Sequence, residues 1–558
     1  MQARKTLIAL LVFALLASPV AMLAQEEGES IFFANLSDAS TWNPILSGDT
    51  GSSDAFQFLY LFTLPLDPFT GARSPGVLDS WEVSEDGLTY TFHVREDVVW
   101  SDGEPLDAYD VLFTYEATVS DLVDTPRKAD FATVVGAEVI DDHTIAFTFA
   151  SPDCNALDGA AMYVVPAHRF APDFSDVMTN SLNTEPDISN GPYLLEEWVP
   201  DDYQAFTANP DYSGGQWGAQ TPANIERIFQ RIIPDESTIT QALKAEEIDW
   251  YQISALQWED LLDTPHLNLF ESEANQGVVF TAFNMADPAA GLVPGLDEDG
   301  NPLEQPPHPV FSDVRVRQAL AMGWNKQAAI DAVVQGHGQP IYSTIAPSIG
   351  WAYNANLEPL PFDPDAAAAL LEEAGWVDAD GDGVREKDGV PLSFSLLTNA
   401  GNEIRESLGL LMQDDWRQIG VDARFEAIEF GTLVTERIYK QDYDAIIIGF
   451  TGGVPDPDGY ARALLSVEND VENGFNMVSY YNPEFEEVLD LALNTPGCGY
   501  EDRAEHYARL QEIMWEDVPY DFIYNPFVLT AVHERVQGFD PDLAWAPRSN
   551  LTEWAITP

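Results

Sequence analysis

The apolar residues of this chain repeat with a period of two in parts of its first half and with a helical period in its second half. In Thr89 to Trp100, Tyr90, Phe92 and Val94 alternate with polar residues, which is typical of a strand with one buried face. From Val314 to Val334 the apolar residues recur at helical spacing instead. Because one hydrophobic core rarely serves more than about 300 residues, a chain of 558 residues with this change predicts two or more lobes.

The first half consists mainly of strand and turn patterns. A helix is predicted from about Ala108 to Val119, after the turn residues of 101–105. Residues Val134 to Ala150 have a hairpin pattern that turns at Asp141-Asp142, with alternating apolar residues in the second strand. This half is therefore predicted to be rich in strands joined by tight turns.

The second half predicts alternating strands and helices. The helix over Val314 to Val334 would be capped by Ser312 or Asp313, and another helix begins at Asp363 and Pro364. Further predicted elements are a strand at Val390–Thr398, a helix at Glu403–Ile419 and strands at 421–429 and 442–450. This order of strands and helices predicts an α/β lobe with a mixed sheet.

Residues 1–24 have the features of a secretory signal peptide. Two basic residues precede the apolar run Leu7–Leu16, and cleavage is predicted after Ala24. The run is too short to cross about 30 Å of hydrocarbon, and Pro19 interrupts its continuation, which disfavours a membrane anchor. The sequence therefore predicts export of a soluble protein to the periplasm, the cell exterior or the outer face of the cytoplasmic membrane.

The net charge of −68 arises from 25 basic and 93 acidic residues. Such a surface repels nucleic acid and anionic lipid, which excludes both as partners. Two explanations stay open. A saline habitat would screen the self-repulsion of the charges, and plain solubility outside the cell would need no such habitat.

The two cysteines of the chain are Cys154 and Cys498. Export to an oxidising compartment permits a disulfide between them. Spacing alone does not show that they meet, so a disulfide and two buried thiols are both consistent with the sequence.

Residues 378–389, DADGDGVREKDG, resemble a calcium-binding loop of the EF-hand type. The candidate ligands are Asp378, Asp380, Asp382, the Val384 carbonyl and Glu386. The final position of the motif, where a bidentate glutamate is expected, is Gly389. The loop is therefore either a structural calcium site or a solvated connection, and no cofactor is required by either interpretation.

Several blocks, in the expected order, resemble the family 5 extracellular solute-binding proteins, the oligopeptide, dipeptide and nickel group of ABC importers. The blocks are TGARSPGVLDSWEVSEDGLTYTFHVREDVVWSDGEPLDAYDVLFTYE (70–116), NGPYLLEEWVPDDYQAFTANPDYSGG (190–215), DESTITQALKAEEIDW (235–250), VFSDVRVRQALAMGWNKQAAI (310–330) and the stretch 363–459. The likeness extends over nearly the whole chain that follows the signal peptide.

The resemblance implies an α/β, two-lobed periplasmic-binding-protein-like fold of class II (cluster C) type, with mixed sheets and a hinge of two crossing strands. The implied division is lobe one at 25–281 with an inserted subdomain at about 60–180, lobe two at 282–532, and a C-terminal return to lobe one at 533–558, with crossings near Phe280–Asn284 and Phe527–His533. It also implies a monomer that captures a small solute by hinge closure and docks on an ABC permease complex in the membrane.

The resemblance also implies a set of cleft residues. Phe430 and Phe450 keep aromatic positions, whereas Gly453 stands where peptide binders have an aspartate for the ligand's amino group. Asn399 stands where dipeptide binders have an arginine for the carboxylate. Loss of both charged anchors favours a neutral ligand, such as an oligosaccharide, or a long peptide held by its backbone, because burying an unpaired charge costs several kcal/mol.

Other cleft candidates have a second interpretation each. Thr451 and Asp456 lie in the same loop as Gly453, although Asp456 to Gly459 also has the composition of a β-turn. Trp42 and Trp351 lie in loop-like contexts and can stack on a ligand or cover a core. Phe430 and Phe450 can likewise be core residues.

Two other functions are weighed against solute binding. A secreted hydrolase of glycans or peptides could use the many carboxylates, but the sequence has no G-x-S-x-G or H-E-x-x-H motif and only eight histidines. A sensory or chaperone-like binding protein would bind a ligand without delivering it. The sequence therefore predicts a binding protein rather than an enzyme.

Overall fold

The computed structural model describes residues 30–215, 218–450, 456–472, 474–543 and 545–557. The strands are β1 (Ser30–Asn35), β2 (Leu78–Val83), β3 (Thr89–Val94), β4 (Val134–Asp141), β5 (Thr144–Phe149), β6 (Tyr193–Val199), β7 (Tyr203–Ala208), β8 (Arg227–Ile232), β9 (Trp250–Ile253), β10 (Leu267–Ser272), β11 (Val278–Phe283), β12 (Gly338–Pro340), β13 (Glu386–Lys387), β14 (Val390–Pro391), β15 (Ser393–Asn399), β16 (Asp422–Ile428), β17 (Ala445–Phe450), β18 (Tyr520–Pro526), β19 (Val528–His533), β20 (Val536–Gln537) and β21 (Ala555–Ile556).

The α-helices are α1 (Thr50–Leu59), α2 (Ala108–Val119), α3 (Glu236–Lys244), α4 (Ala255–Leu261), α5 (Val314–Met322), α6 (Lys326–Val333), α7 (Pro364–Glu373), α8 (Glu403–Gln418), α9 (Phe430–Thr432), α10 (Asp458–Leu465), α11 (Pro483–Leu493) and α12 (Tyr500–Asp517). A π-helical turn, Leu433–Ile438, continues α9. In the described part of the chain, no helix combines the length and the apolar character that crossing a bilayer requires.

Three larger sheets carry the fold. The first has seven strands in the order β10-β19-β9-β1-β8-β7-β6, and the second has six in the order β12-β18-β11-β17-β15-β16. The third is a four-stranded sheet, β2-β3-β5-β4. In the second sheet β15 pairs in parallel with β16 and β17, while β11 pairs antiparallel to β17. The α/β fold with mixed sheets predicted above is confirmed.

Within the described residues, the chain passes between the first two sheets twice. β10 ends at Ser272 in the first sheet and β11 begins at Val278 in the second; β18 ends at Pro526 and β19 begins at Val528. We call residues 30–272 and 528–557 lobe one, and residues 278–526 lobe two. The sequence-based boundaries at 281/282 and 532/533 fall inside β11 and β19, whose extended apolar residues form buried strands rather than linkers.

The two passages between the sheets are hydrogen-bonded to each other. The Asn525 amide nitrogen donates to the carbonyl oxygens of Asn275 and Gly277, at 3.0 and 2.7 Å. The Asn275 amide nitrogen donates to the Pro526 carbonyl oxygen at 2.9 Å. Asn525 is buried, so these bonds replace water for polar groups that would otherwise be unsatisfied.

The hydrophobic core consists of three main clusters. The first joins the seven-stranded and four-stranded sheets within lobe one, and the third fills one face of the six-stranded sheet in lobe two. The second contains residues of both lobes, for example Leu529 and Ala531 of β19 with Val279 and Phe283 of β11. The lobes therefore share a core on the side of that cluster.

The single helix predicted over Val314 to Val334 is wrong, because the structure has two helices there. α5 ends at Met322, and the Asn325 side chain caps α6 by accepting from the Ala328 N–H at 3.0 Å. A Cβ atom at Gly323 would lie 2.6 Å from the Ile419 Cδ1 atom. The chain therefore passes close to the end of α8 at this break, and a side chain at residue 323 would force the Ile419 side chain to shift.

Candidate ligand cleft

Two adjoining cavities lie beside each other, one lined by lobe one alone and the other by residues of both lobes. The inner cavity has a volume of about 380 Å³ and is lined by Gln57, Phe62, Pro65, Leu66, Arg73, Tyr163, Trp250, Gln252, Trp545, Ala546, Pro547, Arg548 and Ser549. The interlobe cavity, of about 330 Å³, shares Leu66 and Arg73 with it and adds lobe-two residues, including Trp351, Asp456 and Arg503. Trp545 of lobe one also packs against the core cluster of lobe two.

Strand β9 contributes alternate residues to the wall of the inner cavity, because successive side chains of a strand point to opposite faces. Trp250 and Gln252 line the cavity, whereas Tyr251 and Ile253 belong to the core cluster shared by the lobes. The Trp250 ring packs edge-on against Phe33, with centroids 5.6 Å apart. The strand thus fixes one wall of the cavity from the core side.

The Trp250 side chain carries a hydrogen-bond donor with no partner. Trp250 is 5% exposed, and its Nε1–H has no acceptor among the described residues. A buried donor without an acceptor costs about 1–3 kcal/mol. The Nε1 atom is itself buried, so a ligand acceptor would recover that cost only after the cavity wall moves to admit it.

The arginines of the two cavities are paired with carboxylates. Arg73 Nε lies 2.5 Å from Asp158 Oδ1, and Arg548 Nη2 lies 3.2 Å from Asp54 Oδ1. Arg503 pairs with Asp456 at 2.9 Å. The positive charge of each of these walls is therefore balanced within the protein.

Arg405 is a cation at the end of β15 that sequence comparison missed. Its Nη1 donates to Asn399 Oδ1 at 2.9 Å, and its Nη2 donates to the Gly449 carbonyl oxygen at 3.3 Å. Burial lowers the pKa of Arg405, and no carboxylate of the described residues lies within 4.0 Å of it. The guanidinium of Arg405, in the first turn of α8, therefore lies at the end of β15, next to Asn399, which occupies the position where an arginine is expected.

The other predicted cleft residues have different environments. Phe430 begins α9 and is 55% exposed, and Phe450 ends β17 and packs against Phe280 and Tyr460. Asp456 lines the interlobe cavity. Thr451 and Gly453 lie outside the described residues.

The structure separates the two candidate tryptophans. Trp42 is fully buried and packs edge-on against Trp198 and Phe206 in the core of lobe one. Its proposed role in the cleft is therefore wrong, because Trp42 is enclosed by the lobe-one core and lines neither cavity. Trp351 lines the interlobe cavity, with its ring 4.6 Å from that of Tyr500.

The aspartate loop and the cysteines lie in separate places. Carboxylate oxygens of Asp378, Asp380 and Asp382 lie within 4.8 Å of one another on an exposed loop that lines neither cavity. Cys154 and Cys498 form a disulfide with a Cα–Cα distance of 5.2 Å, in the wall of the interlobe cavity.

Comparison with known proteins accounts for this architecture. The family model for bacterial extracellular solute-binding proteins, family 5 middle, matches residues 73–471, which is more than half of the chain. The chain belongs to this family. The resemblance inferred from the sequence blocks is confirmed for this family 5 protein.

Relatives of this family 5 protein align over most of its length. The oligopeptide-binding protein AppA of Bacillus subtilis is 25% identical over 522 residues, which cover 92% of this chain and 89% of AppA. Di/tripeptide-binding protein 1 of Pseudomonas aeruginosa is 28% identical over 496 residues, which cover 83% and 84% of the two chains. Both relatives are binding proteins by name.

Solved structures share the fold of this family 5 protein. AppA from Bacillus subtilis in complex with a nonapeptide matches with a TM-score of 0.74 and 23% identity, covering 95% of this chain and 99% of that one. NikA from Brucella suis in complex with Fe(III)-EDTA matches with a TM-score of 0.78 and 22% identity, at 95% and 99% coverage. The two-lobed fold predicted from the sequence is therefore established.

Proposed function

We propose that this family 5 protein is exported, captures a peptide in the cleft between its lobes by hinge closure, and delivers it unchanged to an ABC permease in the membrane. The observation that carries the proposal is the interlobe cavity, lined by both lobes and adjoined by the inner cavity, where the Trp250 N–H has no acceptor among the described residues. The peptide as ligand is supported by the oligopeptide and di/tripeptide binders among its relatives. A cleft between two joined lobes is also the geometry in which closure buries a ligand.

The ligand is proposed to be an oligopeptide held mainly through its backbone. Arg73, Arg503 and Arg548 are already paired, so the cavity walls offer neutral hydrogen-bonding groups and aromatic faces rather than free charges. Arg405 lines neither cavity, but its guanidinium donates to neutral oxygens at the end of β15, so it is proposed to receive the carboxylate of a ligand that extends to that end. A dipeptide that depends on two charged anchors would fit less well.

An oligosaccharide is the second candidate ligand. The inner cavity combines the aromatic rings of Trp250, Trp545 and Tyr163 with the amides of Gln57 and Gln252. Rings and amides are the groups that a neutral, hydroxyl-rich ligand needs. Hydrolysis of either ligand is disfavoured because Asp158 and Asp456, which line the interlobe cavity, are each held by an arginine.

The two ligand classes are separated by a thermal-shift screen of dipeptides, tripeptides, nonapeptides and oligosaccharides. We expect nonapeptides to raise the melting temperature and to be recovered intact after prolonged incubation. Stabilisation by oligosaccharides alone would replace the peptide with the second candidate. Stabilisation by dipeptides alone would contradict a ligand held by its backbone, and cleavage of the peptide would contradict a binding protein.

The substitution Trp250→Phe tests the site itself. It keeps an aromatic ring but removes the N–H, so we expect about tenfold weaker binding of the stabilising peptide in calorimetry, the equivalent of one hydrogen bond. Trp376→Phe is the matched control. Trp376 is 1% exposed and its N–H also lacks a described acceptor, but it lines neither cavity. Equal losses of peptide affinity in both variants would show that Trp250 is not part of the binding site.

A further inference from the structure

We infer that the Cys154–Cys498 disulfide is a third covalent connection between the lobes, which limits how far the ligand-free cleft can open. The inference rests on the proposed hinge closure. Its basis is the position of each cysteine in the fold, taken together with the contacts around the bond.

Cys154 is anchored in lobe one. It follows β5, and its neighbours Phe149 and Ala156 are buried in the core cluster of that lobe. The segment therefore moves with the four-stranded sheet and the rest of lobe one.

Cys498 is anchored in lobe two. It lies between α11 and α12, whose residues Leu489, Ala492 and Tyr507 are buried in the third core cluster. α12 leads directly into β18 of the six-stranded sheet. The disulfide thus joins the core of one lobe to that of the other across 344 residues of sequence.

Non-covalent contacts between the lobes surround the disulfide. The Cys154 N–H donates to the Leu493 carbonyl oxygen at 3.0 Å, and the Asn155 amide donates to Asp456 Oδ1 at 3.2 Å. The Gln276 amide, in the first passage between the sheets, donates to the Asp456 carbonyl oxygen at 3.1 Å. A row of contacts therefore runs from the hinge to the disulfide.

The bond restricts the movements that are open to the lobes. Two passages at 273–277 and at Phe527 alone would allow rotation about several axes, because hinge motion is absorbed by a few residues. With Cys154 and Cys498 held 5.2 Å apart between their Cα atoms, only rotations with an axis near both the hinge and the disulfide remain. The tether also keeps Asn155 close to Asp456, which favours re-formation of that contact.

The connection depends on redox state. An oxidising compartment preserves the bond, whereas two equivalents of a small thiol reductant would cleave it. The reductant supplies two electrons and two protons, the two cysteines become thiols, and the reductant becomes its own disulfide. The reduced protein would then open more widely.

The test compares the ligand-free wild-type protein with the double variant Cys154→Ser, Cys498→Ser by small-angle scattering and amide hydrogen exchange. We expect a larger radius of gyration in the variant and at least tenfold faster exchange at 153–158 and 493–503, with unchanged exchange in β3 and β5 as a check on folding. Asn155→Ala, which keeps the disulfide, is expected to scatter like the wild type.

The same measurements on wild-type protein that has been reduced with dithiothreitol and alkylated form a second arm of the test. This arm shows whether the disulfide limits opening if the double variant does not fold. Superimposable scattering and equal exchange of the oxidised and the unlinked protein would overturn the inference. Failure of every ligand in the screen described above would instead overturn the proposed function. The ligand-free comparison would still decide whether the disulfide limits opening.

Discussion

Burial can raise the pKa of a carboxyl group in this protein even where hydrogen bonds stabilise its charged form. Asp470 is 1% exposed, and burial raises its pKa to about 6 although the Gln441 amide and the Ser479 hydroxyl donate to it. The native state therefore holds a proton on Asp470 in a pH range where the unfolded chain has released it.

This difference makes stability depend on pH. Between the unfolded pKa of about 4 and the native pKa of about 6 the native state binds more protons, so the free energy of unfolding falls as pH rises through this window. We expect the free energy of unfolding of Asp470→Asn not to fall in this window. Relative to the wild type, the variant should therefore become about 2 kcal/mol more stable between pH 4.5 and pH 7.5. Urea denaturation at several pH values measures it. Asp299→Asn, at an exposed site, is the control, and parallel pH profiles for the wild type and Asp470→Asn would contradict the prediction.

Arg405 and Trp250 show why candidate ligand-binding residues escape detection in a sequence. An alignment compares positions along the chain, whereas the Arg405 guanidinium reaches Asn399 from the next helix. Trp250 has the apolar character of a core strand residue, and only the packing around it leaves its N–H without an acceptor in the part of the chain that the structure describes. Both features depend on distances that spacing does not contain.

The elements follow local signals closely. α2 has the predicted bounds, Ala108–Val119, with Asp107 as its cap, and Asp363 caps α7, whose first residue is Pro364. Asp313 rather than Ser312 caps α5, accepting from the Arg315 N–H. Such signals are local because a cap bonds to residues two or three positions away.

The aspartate loop is an element whose role remains a prediction. Asp378 accepts from the N–H groups of Gly381 and Gly383, and Glu386 accepts from that of Ala379, which folds the loop between α7 and β13. If the loop binds calcium, about 5 mM calcium will raise the melting temperature of the wild type at constant ionic strength, since weak extracellular sites have millimolar affinity.

The variant Asp380→Asn should lose this response, and magnesium should give a smaller one because it favours a tighter octahedral site. Asp299→Asn again serves as the exposed control. An identical melting temperature with and without calcium would leave a solvated connection as the correct interpretation.

At the scale of the whole molecule, charge is the dominant property. The chain has a net charge of −68, so like charges repel in the compact state. Raising potassium chloride from about 0.05 to 1 M shortens the Debye length from more than 10 Å to about 3 Å. If the acidity reflects adaptation to salt, the melting temperature will rise steeply over this range and level off once screening is complete.

Differential scanning calorimetry in a salt series measures this effect. An equal volume fraction of a neutral osmolyte separates screening from general exclusion of the co-solute. A melting temperature that is independent of salt would favour the second explanation of the acidity, which is solubility alone.

The sequence by itself determined the family, the α/β class with a mixed sheet, helices such as α2, α7 and α8, and strands such as β3, β15 and β16, because period, caps and turn residues act over a few positions. Tertiary structure alone decided where the chain passes between the lobes. The apolar pattern of β11 and β19 fits a buried strand within one sheet and an extended connection between two lobes equally well. It also decided that Trp42 is core, that Arg405 reaches β15 and that Cys154 meets Cys498. These outcomes depend on contacts between segments distant in sequence, which no local pattern records.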